Sequence, residues 1–433
     1  MPSELRSLSL PPELLVPLTP GHDPSPRSVA AGTVVRPGES LLRDPHRIGS
    51  YPTPRAPVAA TVLGERPAKL TSGQSVTAIV LQPTPFQHDT APRITSKPFS
   101  EQILELLTAP PDRRALWPAT LAAANLAISR PTSPDLFAQL ADPTPVDTIL
   151  VTALDPDAHL GVAAGVADES SPDVIAGAIL LARYKSAKTL LIALEPTVHD
   201  RAKRELTRLA AEAARLAATT GFPLTTRVVT FANHYPRAES SLLISRLLGR
   251  KLSPASLPTA RGVVLVDTPA SAAVGRVARH DQPLTHIPLG LFDHRHRKTY
   301  LLRTPVGTPV LHLFAALEIP SSTPFELRTG DVLQERISPR TAVLSPSDLY
   351  LHILTPPAPT PPDPCIRCGW CVEACPTRVN PAAVLEAAQL NLPHLATSAG
   401  VSACIECGLC QYVCPSRLPL LAALRSFIRK GEG

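Results

Sequence analysis

The chain has 433 residues, room for two to four domains at roughly 150 residues each. Hydrophobic residues make up 44% and charged residues 18%, which excludes a wholly disordered chain. There are 51 prolines but only 21 glycines, so collagen is excluded and many proline-punctuated loops are expected. A net charge of +6 over this length is too weak a field to argue for a nucleic-acid partner.

In chain order, residues 1–100 read as a β domain, a small sandwich or barrel. The apolar runs Leu14–Leu18, Gly32–Val35, Thr61–Leu63 and Val76–Leu81 are separated by Pro and Gly turns, and helical spacing is absent. Residues 101–275 read as α/β. Glu101–Leu107 and Ala119–Ile128 carry helical spacing. Strand-like Asp147–Ala153, Lys188–Leu194, Thr225–Phe231 and Gly262–Val266 then alternate with helical Asp173–Tyr184, Asp200–Ala218 and Ser240–Leu248. That alternation predicts a Rossmann-like parallel sheet with helices on both faces. Residues 276–354 return to short strands, including Thr299–Arg303 and Phe325–Arg328, and predict a β-grasp-like domain. Residues 355–364 (TPPAPTPPDP) form an extended proline-rich linker. A cysteine module fills 365–433.

No targeting or spanning segment is expected. Glu4, Arg6 and several prolines interrupt the apolar residues of the N-terminus. The most apolar run, Asp173–Ala182, is far shorter than the ~18 residues a span needs and predicts a buried helix. The small-residue run Gly161–Gly165 points to helix packing, and the basic stretch Asp293–Lys298 to a solvated loop. No local signature of nucleophilic catalysis occurs, and no catalytic residue is assigned.

All eight cysteines lie between Cys365 and Cys414. A secreted disulfide framework would spread them through the fold it staples, so the clustering points to a metal module in a reducing compartment. Cys365, Cys368, Cys371 and Cys375-Pro376 repeat as Cys404, Cys407, Cys410 and Cys414-Pro415. Both follow C-x2-C-x2-C-x3-C-P, the spacing of a bacterial two-cluster ferredoxin, in which the fourth cysteine crosses to the other cluster. One [4Fe–4S] cluster is therefore assigned Cys365, Cys368, Cys371 and Cys414. The second takes Cys404, Cys407, Cys410 and Cys375. Structural zinc is the competing reading, but zinc sites pair two C-x2-C units and do not need this repeat. Gly369 and Gly408 let backbone pass close to the clusters, and Ile366, Ile405 and Val413 are expected to shield them.

The second cysteine loop continues Cys414-Pro-Ser-Arg-Leu-Pro-Leu, with Arg425 behind it, and closely resembles the C subunit of the Rnf electron-transport complex. Leu10-Pro-Pro-Glu-Leu-Leu-Val-Pro-Leu, Gly32–Leu42, Arg55–Val62 and Val306-Gly-Thr-Pro resemble that family's opening β domain and its β-grasp (SLBB-type) domain, in the same order. The resemblance implies a peripheral subunit on the cytoplasmic side of a membrane complex, passing electrons between its partner subunits and a soluble carrier such as ferredoxin or NADH. It also implies an α/β domain that binds FMN and NADH through a G-x-G-G-x-G-F-P loop and an N-x-E-C-E-P segment. This sequence departs from both. The loop is matched to Pro111–Pro118, where only Trp117-Pro118 survives, and the acidic segment is Ala153-Leu-Asp155-Pro156. Tyr235-Pro236 and Glu239 keep part of a third motif. Trp117, Pro118, Asp155, Tyr235 and Glu239 are thus the implied cofactor contacts, while the lost glycines argue against retained FMN. A soluble flavin-linked reductase similar to the cobalamin reductase of microcompartments, and a non-enzymatic electron wire, are the alternatives.

Overall fold

The computed structural model describes residues 4–428, except 19–27, 44–51, 85–96, 157–159, 197, 321–323, 335, 357 and 359. Strands β1 (Arg6–Ser7), β2 (Leu14–Pro17), β3 (Val34–Val35), β4 (Ala60–Lys69) and β5 (Ser75–Pro83) open the chain. Four of them form an antiparallel sheet in the order β2-β5-β4-β3, with a register shift between Val62 and Gly64. Among the described residues no helix precedes Phe99, as the missing helical period predicts.

Helices α1 (Phe99–Thr108), α2 (Pro111–Ala115), α3 (Trp117–Ala123) and α4 (Leu136–Ala141) follow. The apolar spacing carries α3 to Ile128, but the helix stops five residues earlier. Asn125 adopts a left-handed φ of 63° and its side-chain amide donates to the Leu284 carbonyl, which turns the chain away.

The alternating segment becomes β6 (Thr148–Ala153), α5 (Val162–Glu169), α6 (Ser171–Lys185), β7 (Thr189–Leu194), α7 (Asp200–Thr219), β8 (Thr225–Thr230), α8 (Ser240–Leu248), β9 (Val263–Asp267) and α9 (Thr268–His280). The four strands are parallel, in the order β8-β7-β6-β9. Ile149, Val151, Ile192 and Val264 point into the main core with α6, α7 and α9, whereas Leu150, Leu191, Val263 and Leu265 point to a second core under α8. Both faces of β6, β7 and β9 are covered, so these strands read as continuous apolar runs, whereas the edge strand β8 is exposed to half-buried. The long α7 buries only Ala202, Leu206, Leu209, Ala210, Ala213 and Ala217, a stripe recurring every three to four residues. β7 and β8 lie on one side of β6 and β9 on the other, so the strand order reverses at β6/β9. A crevice outside the carboxyl ends of such strands is where open α/β sheets take ligands.

Next come β10 (His286–Asp293), β11 (Lys298–Pro305), α10 (Val310–Ala316), β12 (Glu326–Thr329) and β13 (Tyr350–Leu354). Their sheet has the order β1-β11-β10-β13-β12, so it draws its edge strand from the N-terminus. The basic stretch 293–298 is the β10–β11 turn. His296, Arg297 and Lys298 are exposed, as a solvated loop requires, while the buried Asp293 anchors the turn by holding Arg295 at 3.0 Å and His296 at 2.9 Å. Helices α11 (Trp370–Glu373), α12 (Pro381–Gln389), α13 (Pro393–Ser398), α14 (Leu409–Tyr412) and α15 (Leu420–Ile428) follow around a small separate core that includes Val379, Val384, Leu420 and Leu424; Cys371 lies in α11, Cys410 in α14 and the other cysteines in the loops beside them.

Helices α6 and α9 touch through bare backbone. A Cβ on Gly177 would stand 2.0 Å from the Ser271 carbonyl oxygen, and one on Gly275 1.8 Å from that of Asp173. The Ser271 hydroxyl donates across the seam to the Val174 carbonyl at 2.7 Å. Gly275→Ala is therefore expected to lower stability by about 1–3 kcal/mol, since a packed seam cannot absorb a methyl group. Urea unfolding of the purified variant checks this, and an unchanged midpoint would contradict the packing.

Candidate functional site

The two cysteine loops are built alike. Corresponding positions lie thirty-nine residues apart and share backbone conformation: Arg367 and Glu406 have φ near 54°, Gly369 and Gly408 near 80°, Arg378 and Arg417 between 53° and 59°. Each glycine starts a one-turn helix, α11 or α14. Their surroundings differ. Cys365 and Cys368 are exposed, whereas Cys407 and Cys410 are buried. Of the expected shields, Ile405 is 8% exposed but Ile366 is 67% exposed, because the first loop has no body of protein against it. Gly369 has open space where a Cβ would stand, while at Gly408 that Cβ would lie 2.0 Å from the Leu333 carbonyl oxygen.

The thiols interact across the repeat. Cys375 acts electrostatically on Cys404, Cys407 and Cys410, and Cys414 on Cys371. Burial, reinforced by these neighbours, pushes the Cys404 and Cys407 thiols up to about 11 and Cys410 up to about 12. Backbone amides are aimed at the sulfurs: Val379 N–H donates to Cys375 Sγ and Glu406 N–H to Cys404 Sγ, both at 3.3 Å. Among the described residues no three His, Cys, Asp or Glu groups converge as one metal ion would require; the thiolates of a cubane stand on separate irons. Sequestered sulfurs with amide donors, in two equivalent loops, fit iron–sulfur ligation.

The buried loop closes one wall of a cavity of about 550 Å³ at the β6/β9 reversal. Ile405 and Cys407 line it, facing Arg130, Pro156, Tyr235 and Glu239. Three nearby helices each start on a carboxylate of the chain: Glu239 lines the cavity, while Asp155 and Asp267 lie behind its lining residues Tyr350 and Arg130. Asp155 accepts from Ala163 N–H of α5 at 2.9 Å, Glu239 from Ser241 and Leu242 N–H of α8 at 3.0 and 3.1 Å, and Asp267 from Ala270 N–H of α9 at 2.9 Å. The Arg130 fork grips Asp267 through two bonds of 2.9 and 2.7 Å, and Thr132 adds a third at 3.1 Å. This pair is deeply buried, the side chains being 8% and 1% exposed. Asp155 also accepts from the Tyr350 hydroxyl, and burial pushes its carboxyl up to about 7 despite these bonds.

Tyr235 and Glu239 thus line one cavity, and Asp155 lies behind its lining residue Tyr350. The Tyr235 hydroxyl, raised well above its ordinary value by burial, donates to the Cys407 carbonyl and ties the cavity to the cysteine loop. Pro118 lies in α3 beside Trp117, which lines a different groove of about 1210 Å³, with Arg113, Leu116 and His280. The segment facing the β6/β9 cavity is instead Ala127–Thr132. Sequence reasoning missed Arg130, Asp267 and Tyr350. Asp267 had a signal, an Asp-Thr-Pro helix start; Arg130 and Tyr350 come from distant segments and had none. No glycine occurs between Gly73 and Gly161, so the wall formed by 127–132 does not fit an FMN phosphate cradle; the glycine that lines the cavity, Gly330, belongs to the segment after β12.

Comparison with known proteins agrees with this architecture. Residues 364–419 match a family described as a 4Fe-4S dicluster domain, and residues 134–276 one described as the Nuo51 FMN-binding domain. The chain carries a two-[4Fe–4S] module. It is 24% identical over 239 residues to the C subunit of the ion-translocating oxidoreductase complex of Rhodobacter capsulatus, covering 54% of this chain and 44% of that protein. It is 25% identical over 391 residues to the corresponding C subunit from Pectobacterium atrosepticum, covering 87% of this chain and 52% of that one. The chain spans about half the length of the curated relatives it matches. An H2-reduced NAD+-reducing [NiFe]-hydrogenase shares the fold, with a TM-score of 0.50 and 15% identity over 78% of this chain and 64% of that one.

The Asp155 carboxyl sets a pH dependence. Its folded value, about 7, lies above its ordinary one of 3.8. The folded state therefore holds a proton that the unfolded chain releases, and stability falls as pH rises from about 4 to about 7. Asp155→Asn is expected to remove most of that fall, worth on the order of a few kcal/mol. Thermal melts across this range check it, and parallel pH profiles for variant and wild type would contradict it.

Proposed function

Taking the chain as a relative of the C subunits of ion-translocating oxidoreductase complexes, we propose that it is a peripheral electron-transfer subunit of such a complex. The carrying observation is the asymmetry of the cysteine loops: one buried against the cavity, the other open to solvent. Cys365, Cys368, Cys371 and Cys414 would hold one [4Fe–4S] cluster and Cys404, Cys407, Cys410 and Cys375 the other, each supplying a one-electron carrier. The chain's own residues then set position and environment. Tyr235 and the Gly408–Leu333 contact seat the buried loop. Arg425 reinforces them by donating to Glu406 and to the Gln334 carbonyl. Ile405 keeps water from that loop, and the amides of Val379 and Glu406 stabilise charge on sulfur.

At the other end, Ile366 and Trp370 stand exposed beside Cys365 and Cys368. This surface suits a partner subunit or a soluble one-electron carrier such as ferredoxin. Among the described residues no helix is long and apolar enough to cross a membrane, so attachment is assigned to partner subunits, on the cytoplasmic side. Within this reading, 1–100 is the N-terminal β domain, 101–275 the Rossmann-like domain, 276–354 the β-grasp (SLBB-like) domain, 355–364 the linker and 365–433 the cluster domain.

Iron counting after anaerobic reconstitution tests the ligand sets. Wild type is expected to hold about eight irons per chain, and Cys375→Ser or Cys404→Ser about four. The double variant Cys375→Ser/Cys404→Ser should still hold about four, whereas Cys375→Ser/Cys365→Ser should hold almost none. The reverse pattern in the doubles would show that the fourth cysteines do not cross.

A further inference from the structure

The family matched by residues 134–276 is described as FMN-binding, yet the donors that would receive a phosphate at the β6/β9 reversal are already engaged. A redox nucleotide needs backbone N–H groups at a helix start, glycines that let its phosphate approach, and a free cationic fork. On the wall formed by 127–132 and the helix starts behind it, each element is occupied or missing. The starts of α5, α8 and α9 are closed by Asp155, Glu239 and Asp267. The facing segment 127–132 is Ala-Ile-Ser-Arg-Pro-Thr, with no glycine. The Arg130 guanidinium, the buried cation on this wall, is spent bidentately on Asp267.

We infer that the chain has closed this cavity to phosphate-bearing redox nucleotides, FMN and NADH alike, by capping its own helices with carboxylates and locking Arg130 onto Asp267. Glu239 lines the cavity, and the Asp267 carboxylate stands directly behind its lining residue Arg130. Any such ligand would have to break the buried Arg130–Asp267 pair and leave a carboxylate facing its own charge. This inference deepens the proposed function and rests on it: electrons reach the buried cysteine loop from a partner protein, not from a flavin held by this chain.

The test uses the full-length, cluster-loaded protein. Flavin is extracted and assayed by fluorescence, and FMN is then titrated into the same preparation while fluorescence quenching is followed. Wild type is expected to yield no flavin and to quench none. Asp267→Asn removes one carboxylate charge and releases Arg130, and should bind FMN at least about tenfold more tightly than wild type, the worth of one charge-assisted hydrogen bond. Stoichiometric flavin in wild type, or a folded variant no better than wild type, would overturn the inference. Iron content is read on the same samples. Clusters with bound flavin would sink this inference and leave the electron-transfer reading standing. A wild-type preparation that cannot be loaded with iron would sink the electron-transfer reading instead.

Discussion

The second cysteine loop lies against the body only because residue 408 has no side chain. The Leu333 carbonyl occupies the space a Cβ would need, and from that contact the remaining geometry follows. Tyr235 reaches the Cys407 carbonyl, Arg425 spans Glu406 and Gln334, and Ile405 and Cys407 become a wall of the cavity at the sheet's reversal point. Burial then makes the thiols reluctant to ionise, so their charge must be offset by metal and by the amides aimed at the sulfurs. A two-cluster module on a tether would have no inner and outer end. Docking one loop gives it both.

The α/β domain serves as a platform for that docking. Strands β6, β7 and β9 of its parallel sheet are buried on both faces, and its helix seam is cemented by Gly177 and Gly275. Helix-start donors that a nucleotide phosphate would use in such a sheet are instead engaged by Asp155, Glu239 and Asp267, and Arg130 is held by Asp267. These bonds keep buried charge satisfied at a place where an unoccupied phosphate site would leave helix donors unpaired. The domain retains its shape, with one buried ion pair, Arg130–Asp267, and carboxylate-capped helix starts in that region.

Much of this was legible in the amino-acid order. The cysteine spacing identified the cluster module, and the apolar runs located β6, β7 and β9 within a residue or two, because a doubly covered strand needs nothing more than continuous hydrophobicity. The difference between the loops was not legible. Gly369 and Gly408 occupy equivalent positions in near-identical motifs, and only tertiary contact with Leu333 separates them. Arg130 and Asp267 lie 137 positions apart, and their meeting depends on β9 returning beside β6. The match of the glycine loop to residues 111–118 rested on one Trp-Pro pair, whereas the cavity is faced by 127–132, which keeps no glycine to mark it. Helix α3 ended early through a left-handed Asn125 whose partner, Leu284, is remote in sequence.

Unequal placement of the two clusters, one sealed against the body and one open to partners, is what the rest of the reading depends on. The direct measurement is electron paramagnetic resonance of the dithionite-reduced protein with and without a soluble dysprosium chelate, resolving each cluster through the single-site cysteine variants. The cluster left in the Cys404→Ser variant is expected to relax strongly with the chelate, while the cluster left in the Cys365→Ser variant should be nearly unaffected. Equal enhancement in both variants would contradict the unequal placement.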